Sequence, residues 1–450
     1  MRLQEFDGKR IAILGAGREG QAAYHWLIDR NPGLELTLIA EAPMDPGFVS
    51  AVRGSDRSIV EPFSAHRLSQ FDVLIRSPGI SPYRDALREA AALGTRITSA
   101  TNVWFSAHPE ARTICVTGTK GKSTTSALIA HLLGSCGFRV KLAGNIGQPL
   151  LACPDDRVDW WVVELSSYQL VDFDGTPSIS VILNLSPEHL DWHLGFENYA
   201  RDKLRLAERT GDNPLILNAL DAALVAQFGS MPSVRWFNSN AGIHIADEKL
   251  LDRQELLPVR VPKGMPGTHN LQNVAAALTA VALAGGDLAG AARAVEQFTP
   301  LPHRLQVLGE RLGITYINDS IATTPVSTLA ALESLKDRPV LLIVGGLDRG
   351  LDWSAAAKSF QQFPPRAVIG IPGNGSKILA ALSGAGFAPE KRLHESPDLE
   401  HAVALAQRLA SAGDAIVLSP GAPSFPQFVD YRDRGHRFAR FAGFAAHDEP

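Results

Sequence analysis

One stretch limits what this chain can fold into: Cys115-Val116-Thr117-Gly118-Thr119-Lys120-Gly121-Lys122-Ser123-Thr124-Thr125. Before it, Thr113 to Thr117 is short, apolar and β-branched, which predicts a buried strand. After it, Ala127 to Gly137 has apolar residues at helical spacing and ends in glycine, which predicts a helix. Between them stand two glycines, lysines and hydroxyl residues. Glycine lets the backbone approach a phosphate closely, and the amides that open a helix attract its charge. Lys122 can reach a terminal phosphate, and Ser123 or Thr124 can hold Mg²⁺. An ordinary glycine-rich β–α turn shares the glycines but not strand, GKST and helix in this order. Nucleotide binding is therefore the reading. The spacing departs from G-x-x-x-x-G-K-[ST], because position 116 is valine.

The rest of the chain alternates strand and helix patterns, so the fold class is α/β. A length of 450 residues predicts two to four domains. With 45% hydrophobic and 20% charged residues, the composition is that of a soluble globular protein. A net charge of −4 gives no bulk attraction to nucleic acid or to an anionic membrane. No apolar run reaches the ~18 residues of a membrane span. The opening MRLQEFDGKR is too polar for a signal peptide. Cys115, Cys136 and Cys153 lack metal-ligand spacing and read as small buried side chains. A cytoplasmic protein with no nucleic-acid or membrane partner is expected.

Arg10 to Leu14 predicts a strand, followed by Gly15-Ala16-Gly17-Arg18-Glu19-Gly20 and an amphipathic segment, Gln21 to Asp29. This is G-x-G-x-x-G in strand-to-helix context, and NAD is one reading of it. The glycines by themselves report only a tight turn and a phosphate near a helix start. Leu36 to Ile39 runs into Ala40-Glu41, where a ribose-binding acid would stand. Asp72 to Ile75 runs into Arg76-Ser77-Pro78-Gly79-Ile80-Ser81. Residues 1–106 therefore read as a Rossmann-like domain for a diphosphate-containing ligand. In the next region, Trp160 to Leu165 carries Glu164 at its end, and Ile179 to Leu185 leads to Glu188-His189. Ligands in open α/β sheets bind beyond the carboxyl ends of strands, so both fall where Mg²⁺ and a phosphate would lie. Either residue alone reads equally as a satisfied surface or core group; two behind a phosphate loop favour metal ligation. Lys203, in the helical pattern Tyr199 to Arg209, is by composition only a solvated charge. Asn270 and Asn273 open an alanine-rich helix, Val274 to Ala284, and could contact a purine or cap the helix. Pro300 to Arg304 marks a second boundary. Beyond it, strands Thr315 to Ile317, Val340 to Val344 and one near Ile416 end in loops carrying Asp, Arg and Ser, as suits a small anionic ligand.

The ordered set GAGREG, SPGI, TGTKGKST, GNIGQP, ELSSYQL, EHLDWH, DKL, HNLQN, LPHR, NDS and LSPGAPSF resembles the Mur ligases of cell-wall synthesis over nearly the full chain. Within them it is most similar to enzymes that add glutamate to UDP-N-acetylmuramoyl-L-alanine. Folylpolyglutamate synthetases share the short phosphate loop but lack an N-terminal UDP-binding domain. The resemblance implies three domains: a Rossmann-like 1–106 for the UDP-sugar, a central P-loop ATPase-like parallel sheet in 107–302, and a Rossmann-like 303–450 for the amino acid. It removes the NAD reading of GAGREG; an NAD-dependent dehydrogenase stays a distant alternative, and a non-catalytic nucleotide switch, which would hydrolyse ATP without amino-acid dependence, is a third class. It implies ATP held by Gly118, Thr119, Lys120, Gly121, Lys122, Ser123, Thr124, Asn273, Arg304 and Asp319. It implies Mg²⁺ on Ser123, Glu164, His189 and a carbamate of Lys203, with Lys122, His189 and Lys203 catalytic. Arg18, Glu19, Ser77, Gly79 and Asn145 would face the UDP-substrate. Thr323, Arg349, Ser424 and Tyr431 would face glutamate. A monomer is expected.

Departures gather at the amino-acid end. Enzymes adding D-glutamate tend to have D-S-K-A-T-N where this chain has Asp319-Ser320-Ile321-Ala322-Thr323-Thr324. Their lysine after the glycine pair is Arg349, their S-P-A-C-A-S is Ser419-Pro420-Gly421-Ala422-Pro423-Ser424, and a phenylalanine further on is Tyr431. Arg349 can grip a carboxylate with a bidentate fork that lysine cannot copy. Inverting a chiral centre moves the carboxylates relative to an amine that must keep its line of attack. A subgroup of the family adds L-glutamate, and REGQAAY and EHLDWH look closer to that subgroup, so the resemblance implies L-glutamate; D-glutamate is the alternative, with drift at peripheral positions accounting for the departures.

Overall fold

The stretch from Thr113 to Thr125 sits at the middle of a six-stranded parallel sheet. Its strand, Thr113–Thr117, pairs with Trp160–Glu164 on one side and Ile179–Ile182 on the other. Val140–Gly144 lies outside the first; Leu215–Asn218 and Val234–Phe237 lie outside the second. The computed structural model describes residues 3–154, 157–262, 264–265, 267–387 and 392–445. It falls into two compact units. One is Met1–Arg260 with Leu271–Glu296; the other is Val261–Asn270 with Gln297–Pro450.

The first unit also holds a five-stranded parallel sheet. Its order is Arg57–Val60, Leu36–Ala40, Ile11–Leu14, Val73–Arg76 and Arg96–Ser99. This order places the GAGREG turn and the loop after Arg76 on neighbouring strands, at the sheet's carboxyl edge. Helix Ala100–Ala107 is apolar over most of its surface and joins the two sheets in one core. Trp104 packs against Trp161 with ring centres 4.8 Å apart, and Phe105 against Phe173 at 5.1 Å. Aromatic burial on this scale contributes roughly 1.5–3 kcal/mol per ring.

The second unit is a six-stranded sheet with antiparallel Gln306–Arg311 at one edge. Parallel strands Ile314–Asn318, Ala415–Leu418, Val340–Val344, Ala367–Gly370 and Leu393–Glu395 follow in that spatial order. Leu342, Val344, Val368 and Val417 fill the core on one face; Leu341, Ile343, Ile369 and Ile416 fill the other. Burial on both faces is why these strands read as unbroken apolar runs.

Most element expectations hold with shifted ends. The phosphate-loop helix starts at Lys122 and ends at Ser135, and the alanine-rich helix spans Thr268–Leu283. Two features were not expected: the edge strand Gln306–Arg311, and a small antiparallel sheet of Ile243–Ala246, Lys249–Asp252 and Glu255–Leu256.

Candidate active site

Gly118 and Gly121 build the turn because no other residue fits there. Gly118 has φ +155°, and a Cβ would stand 2.9 Å from the Leu183 Cβ. Gly121, at φ +84°, caps the helix, and a Cβ would lie 2.5 Å from Asn273 Oδ1. The loop is braced by the end of the neighbouring strand. Thr119 and Lys120 amides donate to the Asn184 carbonyl and to Asn184 Oδ1 (3.0 and 2.8 Å). Thr119 Oγ1 meets the Tyr199 hydroxyl at 2.7 Å and accepts from the Ser186 amide at 2.9 Å. The amides that open the Lys122–Ser135 helix carry the positive end of its dipole, which attracts an anion. Asn273, buried on its own helix, accepts from Thr125 Oγ1 at 3.2 Å.

Three amines converge on this turn. Lys122 Nζ donates to the carbonyls of Gly118 and Thr119 at 3.0 and 2.9 Å. Lys120 pairs with Glu188 at 2.6 Å. Lys203 is the third, placed at this site in advance only by the family resemblance. Composition suggested a solvated charge, yet it is 1% exposed, with Nζ 2.9 Å from the Gly118 carbonyl. Burial holds its pKa well below the ordinary lysine value, Lys122 pushes the same way, and Glu188 and Glu164 oppose. A neutral amine is a nucleophile; an ammonium is not.

Glu164 ends its strand fully buried. Oε1 accepts from Asn145 Nδ2 at 2.6 Å, while the buried Oε2 has no partner among the described residues. The expected acceptor ligand Asn145 thus orients the expected metal ligand Glu164. His189 has left-handed backbone (φ +55°) and its ring lies 4.9 Å from that of Tyr168. It keeps solvent access, but the protein around it and then Lys122 lower its pKa, against Glu188. Among the described residues no three His, Cys, Asp or Glu side chains gather into a ready-made metal cage. Mg²⁺ does not require one, since it keeps waters and takes one or two carboxylates plus phosphate oxygens. The buried Glu164 oxygen without a partner among the described residues, with the buried Lys203 amine at the phosphate loop, fits such a partial set.

A polar chain that sequence reasoning missed backs this site. His193 is fully buried, with Nδ1 2.7 Å from Asp202 Oδ2 and Nε2 3.0 Å from Ser167 Oγ. The Tyr83 hydroxyl donates to Asp202 at 2.7 Å. The signal was present, because EHLDWH and DKL contain His193 and Asp202, but nothing in either motif pairs them.

The first glycine loop lies in the same unit. Arg18 Nη2 donates to the Gly147 carbonyl. Glu19 accepts from Gln169 Nε2 at 2.9 Å, and burial raises its pKa to about 7 against that bond and Arg18. Ser77 Oγ donates to the Gly15 carbonyl at 3.1 Å, and Gly79 is the exposed apex of the next loop. The possible ribose acid Glu41 is gripped by Arg84 through two bonds of 2.6 and 2.7 Å.

In the second unit, Asp319 accepts from Ser419 Oγ at 2.7 Å and from the Leu305 amide at 3.2 Å, and burial raises its pKa to about 7. Arg304 lies one residue before Leu305 and opposes that rise. Thr323, Arg349 and Ser424 stand on three separate loops after strands, and Tyr431 opens helix Tyr431–Phe441. Arg434 ties the loops together: it is fully buried and donates to the Ser320 and Ala422 carbonyls at 2.7 and 3.0 Å.

A parallel sheet, a short lysine-rich phosphate loop and a second αβ unit define a phosphate-loop protein of the α/β class. The Mur ligase middle domain matches residues 116–281, and the Mur ligase glutamate ligase domain matches 303–421. A UDP-N-acetylmuramoyl-L-alanine–L-glutamate ligase of Xanthomonas axonopodis pv. citri is 43% identical, over 94% of this chain and 93% of that protein. One of the same description from Xylella fastidiosa is 42% identical over the same shares. Among solved structures, a UDP-N-acetylmuramate–alanine ligase of Thermotoga maritima superposes with TM-score 0.60 at 18% identity, covering 96% of this chain and 98% of that one. A MurF ligase of the same organism, in complex with ADP, gives 0.59 at 15% identity over 98% and 95%. The chain belongs to the Mur ligase family.

Proposed function

We propose that this protein joins L-glutamate to UDP-N-acetylmuramoyl-L-alanine at the expense of ATP, in peptidoglycan precursor synthesis. The relatives at 42–43% identity bear that description over nearly their whole length. D-glutamate is the alternative, and the altered loops at Asp319–Thr324 and Ser419–Ser424 favour the L form. Residues 1–106 take the UDP-sugar, 107–302 take ATP, and 303–450 take the amino acid through Thr323, Arg349, Ser424 and Tyr431. The protein works as a cytoplasmic monomer; no helix among the described residues is long and apolar enough to cross a membrane.

The observation that carries the ligase reading is the buried, depressed Lys203 amine against the phosphate-loop carbonyl. A carboxylate does not condense with an amine at neutral pH, so it must first be activated. The alanyl carboxylate attacks the γ-phosphorus of ATP, the bond to the β-phosphate oxygen breaks, and an acyl phosphate and ADP result. Lys122 and the helix-start amides of Ser123 and Thr124 hold the phosphates while charge shifts between oxygens. The glutamate amine then attacks the acyl carbon, loses a proton, and phosphate leaves. Arg304, Asp319 and Asn273 are assigned to ATP by the family resemblance. In its neutral form, which burial favours, the Lys203 amine can add its lone pair to the carbon of CO₂ and lose a proton, leaving a carbamate with two acceptor oxygens. Bound Mg²⁺ would neutralise phosphate charge. Glu164, the carbamate, His189 and Ser123 are the groups to hold it. The test is phosphate release with UDP-N-acetylmuramoyl-L-alanine, ATP and each glutamate enantiomer. Release and a new amide with L-glutamate are expected; no amide with either enantiomer overturns the reading.

A further inference from the structure

Arg76 ends the strand Val73–Arg76 and is fully buried. Its guanidinium faces two ways. Toward its own loop, Nη1 donates to the carbonyls of Ser77, Pro78 and Ile80 at 3.2, 3.3 and 2.6 Å. Toward the six-stranded sheet, Nη2 donates to the Tyr168 carbonyl at 3.1 Å, and Nε and Nη2 grip Asp172 Oδ2 at 3.2 and 3.0 Å. Tyr168 belongs to the short helix that follows Glu164. The far side of the loop is latched as well. Trp192 Nε1 donates to the Gly79 carbonyl and Ser81 Oγ to the Trp192 carbonyl, both at 3.0 Å. Three carbonyls turned inward onto one cation leave the exposed apex at Gly79 with a fixed shape. A Cβ on Gly79 would meet no atom within 4 Å, so the space above it is open to a ligand.

We propose that Arg76 is a positioning residue for the UDP-linked acceptor, setting the shape of loop 77–80 through its three carbonyl bonds. It also ties that loop to the segment after Glu164. The proposal rests on the reading that Ser77 and Gly79 face the acceptor. Lysine cannot replace the guanidinium, because a single ammonium cannot hold the loop carbonyls that Nη1 binds and also reach Tyr168 and Asp172, which Nη2 and Nε bind.

The experiment measures KM for UDP-N-acetylmuramoyl-L-alanine, ATP and glutamate, with melting temperature, in the full chain. Gly79→Val comes first, since it adds bulk only to open space. If it leaves the acceptor KM unmoved, the placement of the acceptor on this loop fails, whatever Arg76 does. With that placement standing, Arg76→Lys keeps a charge for Asp172 but, ion-paired there, loses the Nη1 bonds to the loop carbonyls. It should raise the acceptor KM by about fivefold or more, the effect of one or two lost hydrogen bonds, with the other KM values within about twofold. Asp172→Asn keeps the three carbonyl bonds and weakens only the tie to the other sheet. It should lower the melting temperature and leave the acceptor KM within about twofold. An acceptor KM unchanged in Arg76→Lys overturns the proposal. So does one that rises in Asp172→Asn, which would make Arg76 a staple between sheets; this second variant decides the matter if Arg76→Lys does not fold.

Discussion

The protein uses the strand–glycine–helix turn twice, with opposite charge inside. At Gly15–Gly20 the helix starts on Arg18 and Glu19, and the half-buried Glu19 carboxyl, held by Gln169, has its pKa raised to about 7 by burial. At Gly118–Gly121 the helix starts on Lys122, with Lys120 beside it and Lys203 beneath. There the charges work against one another, and both Lys203 and His189 are pushed toward their neutral forms, by burial first and by Lys122 after it. Such a cluster gains most from an incoming polyanion. Glycine spacing reports only room for a ligand near a helix start; the side chains in that room decide which ligand.

Removing the charge from the second turn is the sharpest way to break this comparison. Lys122→Ala should cut the rate of phosphate release by about 10²–10³-fold, the scale of losing one preorganised donor to transition-state charge. Acceptor binding, measured by titration with the UDP-substrate, should be nearly unchanged. Retained turnover would deny the loop its role.

Lys203→Ala comes next. Activity should drop by about 10²-fold or more and recover in part when a short-chain carboxylic acid is supplied, because the acid replaces the carbamate oxygens. A variant that turns over at the wild-type rate without any acid would end the carbamate proposal.

The glycines can be compared directly. A Cβ at Gly20 would lie 1.9 Å from the backbone oxygen of Gly15, whereas at Gly121 the nearest obstacle is the Asn273 side-chain oxygen at 2.5 Å. Gly20→Ala should lower stability by about 1–3 kcal/mol through overpacking, read from urea unfolding. Gly121→Ala is strained by its φ of +84° and should chiefly harm ATP saturation. If Gly20→Ala matches wild type, the first turn is looser than its packing indicates.

Both glycine turns were legible because strand, turn and helix are local events with local codes. Glu164 and His189 were legible as strand-end residues on the same ground. Lys203 was not: helical spacing places it on a helix but gives no sign that the helix packs that face onto Gly118. Arg76, His193 and Asp202 were missed for a like reason, since each finds its partners far away in sequence, such as Asp172 for Arg76 and Ser167 for His193. The small sheet at 243–256 hid behind its turn. Asp247 and Glu248 both take left-handed backbone, at φ +49° and +58°, without the Asn-Gly or Asp-Gly pair that announces such a hairpin. Edge strand Gln306–Arg311 has a bulge at Val307–Gly309, which breaks the alternation a reader would look for.

The smallest predicted effect tests the acid in the first turn. A carboxyl whose folded pKa is about 7 instead of 4.5 binds its proton more tightly in the folded state. Its contribution to stability is therefore complete below about pH 4.5 and is lost as pH rises toward 7. Glu19→Gln removes that loss and keeps a group able to bond Gln169. The melting temperature of the variant minus that of wild type should rise between pH 5 and pH 8, by about 1–3 °C for a chain of this size. Asp319 titrates in the same window, with its pKa also raised to about 7 by burial, but it is present in both proteins and cancels in the difference. A difference that stays flat from pH 5 to pH 8 would mean that Glu19 is ionised throughout. The first turn would then hold a fixed negative charge, and its contrast with the second turn would be sharper.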